Sequence, residues 1–254
     1  MHPILFSFGL VHLYSFGVLV AIGVLCAVLL LKANARRVSI QPDTVVDLAI
    51  ATVVGGFIGA RLFYVVQYWD FFLQSPLDII KIWEGGIVLY GGLIGGLLGF
   101  SIFVRLKRLP FLVSLDLFVP ALALAQGFGR IGCFLNGCCF GEVTEVPWSV
   151  QFPFLDYRVH PTQLYEAIFC FLLATFLLFL WRKHLRAGAV AAAYFILYPM
   201  GRFLFEFFRG DNAKSFLNFT LHQWISIALI VSTLIVLFTI RLGCHGKKTT
   251  HRSA

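Results

Sequence analysis

AQGFGRIGCFLNGCCFGE, residues 125–142, sets a permanent cation at the end of an apolar segment of membrane type. The guanidinium of Arg130 stays charged at cellular pH, and insertion scales charge roughly 2.5–3.5 kcal/mol for an arginine at a helix centre. Such a residue requires an anion or water beside it. The whole chain matches that setting: 59% of its 254 residues are hydrophobic and 13% are charged, with a mean hydropathy of +0.88. That is far from the roughly 25% charged residues of a soluble domain, so the composition describes a polytopic membrane protein.

Apolar runs long enough for a bilayer core of about 30 Å occur at 11–31, 46–68, 87–104, 113–130, 163–181, 189–208 and 222–240. These predict an all-α integral membrane protein with seven transmembrane helices. The first run has no preceding Lys or Arg and continues as a full span without a small-residue cleavage site, so the reading keeps it as a helix and not as a removed signal peptide. Of the 20 Lys and Arg, thirteen fall in one set of connections: Lys32, Arg36, Arg37, Arg105, Lys107, Arg108, Arg182, Lys183, Arg186, Arg241, Lys247, Lys248 and Arg252. The opposite set holds Lys81, Arg158, Arg209 and Lys214, and Arg61, Arg130 and Arg202 lie in or at the ends of spans. By the positive-inside rule the N-terminus is outside and the C-terminus cytoplasmic. The net charge of +8 is then a topology signal and an attraction to anionic lipid. It does not argue for nucleic acid, because the basic residues are split among short loops.

No Ser- or Pro-rich linker, low-complexity tract or internal repeat interrupts the chain, which reads as one membrane domain over 1–254. Its longest connection is the outer loop 131–162, where Trp148, Phe152, Phe154 and Tyr157 suit a short strand pair or the headgroup level.

Three motifs carry polar chemistry. The second and third spans contain GGFIGARLFY and GGIVLYGGLIGG, whose glycines first suggest close helix packing. Arg61 and the Tyr90 hydroxyl are the features that packing does not explain. The sixth span ends YPMGRFLFEFFRGD, and helical spacing puts Tyr198, Arg202, Glu206 and Arg209 on one stripe. Arg202 and Glu206 are spaced to pair, and the remaining positive charge, with Arg130 and Arg61, suits a phosphate gripped in bidentate fashion. Where the outer loop enters the fifth span, VHPTQLYEA supplies His160, Gln163, Tyr165 and Glu166. Thr162 is placed to cap that helix, and Glu166 to favour the dipole of its first turn.

In combination, HPILFSFG, HLYSFGVLVAIG, GARLFYV, EGGIVLYGGLIGG, GFGRIGCFLNGCCFG, HPTQLYE and GRFLFEFFRGD resemble the prolipoprotein diacylglyceryl transferases of bacterial inner membranes. The resemblance runs over nearly the whole chain and agrees with seven spans. It implies transfer of a diacylglyceryl group from phosphatidylglycerol to the lipobox cysteine thiol of prolipoproteins carrying a signal peptide, with glycerol phosphate leaving. It makes Arg130 the arginine that holds the lipid phosphate and Arg202 the second essential cation. Asn136, Gly137 and Gly141 fall in the signature, Glu206 pairs within the sixth-span motif, and Arg61 occupies the corresponding position of the second span. No metal, nucleotide or other cofactor is implied.

The chemistry fits: displacement at a glycerol carbon needs a thiolate and a leaving group neutralised as the bond breaks, which fixed guanidiniums supply in a water-poor site. The substrate brings the nucleophile, and its thiol, with an unperturbed pKa of about 8.5, needs a proton acceptor. Here the chain departs from the family pattern. Tyr90 stands where HGGLIG commonly carries His, Cys133 where the signature commonly carries Asn, and Phe16-Gly17 where an aromatic YG is common. His160 is the remaining candidate base on the outer side.

Cys133, Cys138 and Cys139 form a C-x4-C-C group near the oxidising face. A metal site wants a fourth ligand, and neither a CxxC nor a nearby His spacing supplies one. A disulfide from Cys133 to Cys138 or Cys139, or small-residue packing, is the expectation; Cys26 and Cys170 read as packing residues. The competing functions are an anion transporter or channel, which predicts internal repeats, a thiol oxidoreductase using the cysteine trio, and a retargeted or inactive relative of the transferases.

Overall fold

The computed structural model describes residues 3–8, 11–38, 40–81, 85–183, 185–209 and 219–249. Glu84, Gly210, Asp211, Lys214 and Arg252, used above in motifs and charge counts, lie outside the described residues, as do the side chains of Arg241, Lys247 and Lys248. Among the described residues seven helices are long and apolar enough to cross a membrane. They are α1 (Ser15–Ala35), α2 (Pro42–Gln67), α4 (Leu89–Leu106), α5 (Phe111–Asn136), α6 (Thr162–Arg182), α7 (Ala189–Phe205) and α8 (Leu221–Thr249). A short helix α3 (Trp69–Gln74) follows α2.

The first span starts four residues later than the hydropathy suggests. Strands β1 (Ile4–Phe8) and β2 (Val11–Tyr14) pair antiparallel, with Phe6 opposite Leu13 and Ile4 opposite Tyr14. Strand pairing satisfies this apolar backbone, and Phe6, Leu13 and Tyr14 project outward from it, so residues 11–14 leave the helix. The fourth span runs six residues further than expected, to Asn136. It stops at Gly137, whose φ of +76° is the left-handed turn that glycine adopts without a steric cost after a helix.

The chain forms two compact units, residues 28–115 and residues 1–27 with 116–254. In the first, α2 and α4 meet glycine to glycine. A β-carbon on Gly95 would collide with the Gly55 carbonyl, and one on Gly91 with the Gly59 carbonyl. The packing reading of these clusters therefore describes the structure, since only bare backbones come this close.

In the second unit α5, from Asp116 on, packs beside α1 and α7. Asp116, at its buried end, accepts hydrogen bonds from the backbone N–H groups of Gly188 at 2.6 Å and Ala191 at 2.7 Å. A carboxylate thus satisfies donors at the start of α7 and complements its dipole. Further along α5, Gly132 lies against Phe16, and Gly23 of α1 against Ala125 and Phe128. The loop between α5 and α6 contains the strand pair its composition suggests: β3 (Val150–Gln151) pairs with β4 (Arg158–Val159), and Val143 bridges to Val159. Phe152 is fully buried in a ring cluster with Phe134, Phe140 and Phe154, while Trp148, Phe154 and Tyr157 stay largely exposed.

Candidate functional site

Three helices of the second unit bring their charges to one place. Arg130 leaves the last turns of α5, Glu166 the first turns of α6, and Arg202 the end of α7, one turn before Glu206. Glu166 bridges both cations, with Arg130 Nη2 at 2.8 Å from Oε2 and Arg202 Nη1 at 3.0 Å from Oε1. Arg202 Nη2 stands 3.0 Å from Glu206 Oε2, and the Thr220 hydroxyl donates to Glu206 Oε1 at 2.7 Å. The result is an alternating chain of two guanidiniums and two carboxylates.

The sequence anticipated the Arg202–Glu206 pair but not the place of Glu166, which it read as a dipole partner. The surplus of positive charge expected on the α7 stripe is cancelled locally by this second carboxylate. Buried charges demand this, because an uncompensated one costs far more than one that is paired and hydrogen-bonded. Counting arginines against carboxylates in the apolar spans was the available signal. The two guanidiniums are the more exposed members, 21% for the Arg130 side chain and 13% for Arg202 against 5% for Glu166 and none for Glu206, so Arg130 is the most exposed of the four.

The stripe itself is shorter than expected. After Phe205 the backbone tightens into a 3₁₀ turn over Glu206–Phe208 and is extended at Arg209, so Arg209 leaves the helical face. Tyr198 stacks on Tyr194 with 5.4 Å between ring centres, and the Tyr194 hydroxyl donates to Gln126 at 3.1 Å.

The loop is pinned beside these helices by HPTQLYE. Thr162 does not cap α6: its hydroxyl donates to the Cys139 carbonyl at 2.9 Å, and the Gln163 amide to the Cys138 carbonyl at 2.7 Å. The cap is displaced because these side chains spend their donors on part-buried loop carbonyls. The Gly141 N–H donates to the His160 carbonyl at 2.9 Å, and a β-carbon there would collide with the Phe208 carbonyl, His160 and Thr162. This is the steric reason for glycine at that signature position. His160 Nδ1 lies 3.2 Å from the Tyr165 hydroxyl, which accepts a 2.7 Å bond from the Trp148 indole. Asn136 is exposed at the end of α5.

The three signature thiols are free, with Sγ atoms all within 4.8 Å of one another; the expected disulfide is not formed. The Cys139 thiol is drawn well below the ordinary thiol range, first by hydrogen bonds from the Cys133 and Cys138 thiols and then, against burial, by Arg209 and Arg130.

Arg61 and Tyr90 belong to the other unit. Arg61 donates through Nε to the Ile79 carbonyl at 2.9 Å, through Nη1 to Gly85 at 2.7 Å and Gly86 at 3.2 Å, and through Nη2 to Asp78 at 2.5 Å. Tyr64 and Phe72 flank the same guanidinium, each ring centre 5.5 Å from it. Tyr90 is the second residue of α4, followed by the packed glycines.

A sequence model of one family, described as "Prolipoprotein diacylglyceryl transferase", matches residues 3–239. The chain is 39% identical to the phosphatidylglycerol--prolipoprotein diacylglyceryl transferase of Clostridium tetani, over 93% of this chain and 96% of that protein. It is 36% identical to the corresponding transferase 2 of Clostridium perfringens, over 96% of both. The Synechococcus elongatus transferase of the same name is 36% identical over 83% of this chain and 78% of its own length.

Proposed function

Since this chain belongs to the prolipoprotein diacylglyceryl transferase family, we propose that it moves the diacylglyceryl group of phosphatidylglycerol onto the lipobox cysteine thiol of a prolipoprotein. Glycerol phosphate leaves, and the product carries a thioether. The protein is a multi-pass bacterial inner-membrane transferase of lipoprotein maturation. With the N-terminus outside, as the basic loops favour, the residues at the Asn136 end of α5 and the start of α6 face the outer leaflet, where lipid and signal peptide approach sideways from the bilayer.

The observation that carries this reading is the Glu166 carboxylate held between Arg130 and Arg202. In the reaction a C–S bond forms as the C–O bond to phosphate breaks, and the electron pair of that bond passes to a phosphate oxygen. Two guanidiniums fixed before the substrate arrives neutralise that charge without reorganising, which is where electrostatic catalysis gains most. Arg130, the more exposed fork, grips the phosphate; Arg202, steadied by Glu166 and Glu206, stabilises it as it departs. Asn136, Gly137 and Gly141 shape the outer wall, with Tyr198 and Arg209 beside it.

His160 takes the thiol proton in this reading. With Nδ1–H donated to the Tyr165 oxygen, its Nε2 keeps a lone pair for the incoming thiol. Arg61 acts as scaffold within its own unit, where its donors already serve four carbonyls.

The test is transfer of labelled phosphatidylglycerol to a lipobox peptide in membranes containing the wild type, Arg130→Ala or His160→Gln. Thioether formation by the wild type and its loss in Arg130→Ala supports the assignment. Properly inserted wild type that forms no thioether overturns it.

A further inference from the structure

The cysteine trio is the chemistry that the transferase reading leaves unused. Cys133 sits in the last turn of α5, and the chain then reverses through Gly137 at φ +76° and Cys139 at φ +64°. A left-handed conformation is uncommon for a residue with a side chain and persists where its surroundings enforce it. They do so here: the Cys138 N–H donates to the Cys133 carbonyl at 3.1 Å, while Gln163 and Thr162 hold the Cys138 and Cys139 carbonyls. On this backbone the three Sγ atoms lie within 4.8 Å of one another, although neither the CxxC spacing nor a histidine announces a site in the sequence.

We propose that Cys133, Cys138 and Cys139 bind one thiophilic d¹⁰ cation, zinc or monovalent copper. With metal–sulfur bonds of about 2.3 Å, three thiolates around such an ion stand roughly 3.8–4.0 Å apart. The observed upper limit of 4.8 Å requires less than about 1 Å of closure. A disulfide would use two sulfurs and leave the third; a cation uses all three. Soft ligands alone select a soft ion. Three thiolates also carry more negative charge than either ion cancels, and Arg130 stands one helical turn before Cys133. Monovalent copper is complete with three ligands, whereas zinc keeps a fourth position for water or a substrate thiol.

The test uses the full-length protein in detergent, reduced and stripped of metal, titrated anaerobically with zinc or monovalent copper against a chromophoric chelator. One ion per chain is expected, bound about 100-fold or more weakly by Cys138→Ser and Cys139→Ser, since even losing a residue behind a ligand weakens sites 10–100-fold. Cys133→Asn, which restores the residue common at that position in related sequences, is the control for folding and is expected to lose the ion equally. X-ray absorption of the loaded protein should count three sulfur neighbours, with an added light-atom ligand for zinc alone. The proposal is overturned if the reduced wild type binds neither ion, if the triple serine variant binds as tightly as wild type, or if the isolated protein holds a disulfide within the trio.

Discussion

Arg61 and Arg130 meet the same problem, a guanidinium among apolar helices, in opposite ways. Arg61 spends its donors on the main-chain carbonyls of Asp78, Ile79, Gly85 and Gly86, between two aromatic rings. Its partners are neutral, fixed by the chain and not exchangeable. Arg130 rests on one carboxylate oxygen, is shared in a network with Arg202, and stays partly exposed. A carboxylate can be supplemented or replaced by another anion, so the second arrangement is the one to which the proposed function assigns the phosphate. On that proposal, identical side chains separate into scaffold and site according to what they are paired with.

Removing the exchangeable arginine tests this contrast most severely. Arg130→Ala should lower the transfer rate by about 10²–10³, the loss typical of one preorganised donor to developing charge, while a thermal unfolding curve changes little. Arg130→Lys, which keeps the charge but loses the fork, should recover only part of it. If both variants transfer at the wild-type rate, the site has been misplaced.

Glu166→Gln is the next largest effect and sharpens the comparison. It leaves two guanidiniums with a single carboxylate, so inorganic phosphate should inhibit this variant at lower concentration than it inhibits wild type. Its kcat should fall about 10–100-fold through loss of positioning, with a smaller change in KM. A rise in KM alone, with kcat intact, would mean that Glu166 contacts substrate directly.

For the closed arrangement the expected pattern reverses. Arg61→Ala abandons bonds from a charged donor worth about 1.5–3 kcal/mol each, so detergent melts should show a marked drop in midpoint. Transfer per correctly folded molecule should stay within about threefold of wild type, the sign that no transition-state contact was removed. A selective loss of turnover without destabilisation would return Arg61 to the substrate. The smallest effect is expected from Gly95→Ala in the α2–α4 seam. Pushing a methyl group against the Gly55 carbonyl costs about 1–3 kcal/mol, visible as a lower midpoint with normal turnover.

Hydropathy made most of the fold legible, because crossing a bilayer imposes length and composition on each span. Boundaries were less so. At residues 11–14 a hairpin competes for the same apolar residues, and at Asn136 the stop comes from a glycine turn that hydropathy does not register. Arg202 and Glu206 were legible from their spacing on one helix, and Arg130 as a permanent cation at the end of an apolar span. Glu166 was not, because its partners come from two other helices, and its own helix-start position offered a simpler explanation. Thr162 misled for the same reason: a capping residue was visible locally, while the carbonyl it serves is 23 positions away in the chain. Local pattern reports what a residue can do, and tertiary pairing decides among the options.

Asp116 bears on how the molecule is made. Its carboxylate satisfies N–H groups at the start of α7, more than 70 residues further along the chain. Synthesis proceeds from the N-terminus, so α5 enters the bilayer with this receptor already displayed, and the seventh-helix segment docks onto it when it emerges. Asp116→Asn should then act on assembly and leave the finished enzyme's chemistry alone: less inserted protein per cell, more degradation of late intermediates, and unchanged turnover in the fraction that completes the bundle.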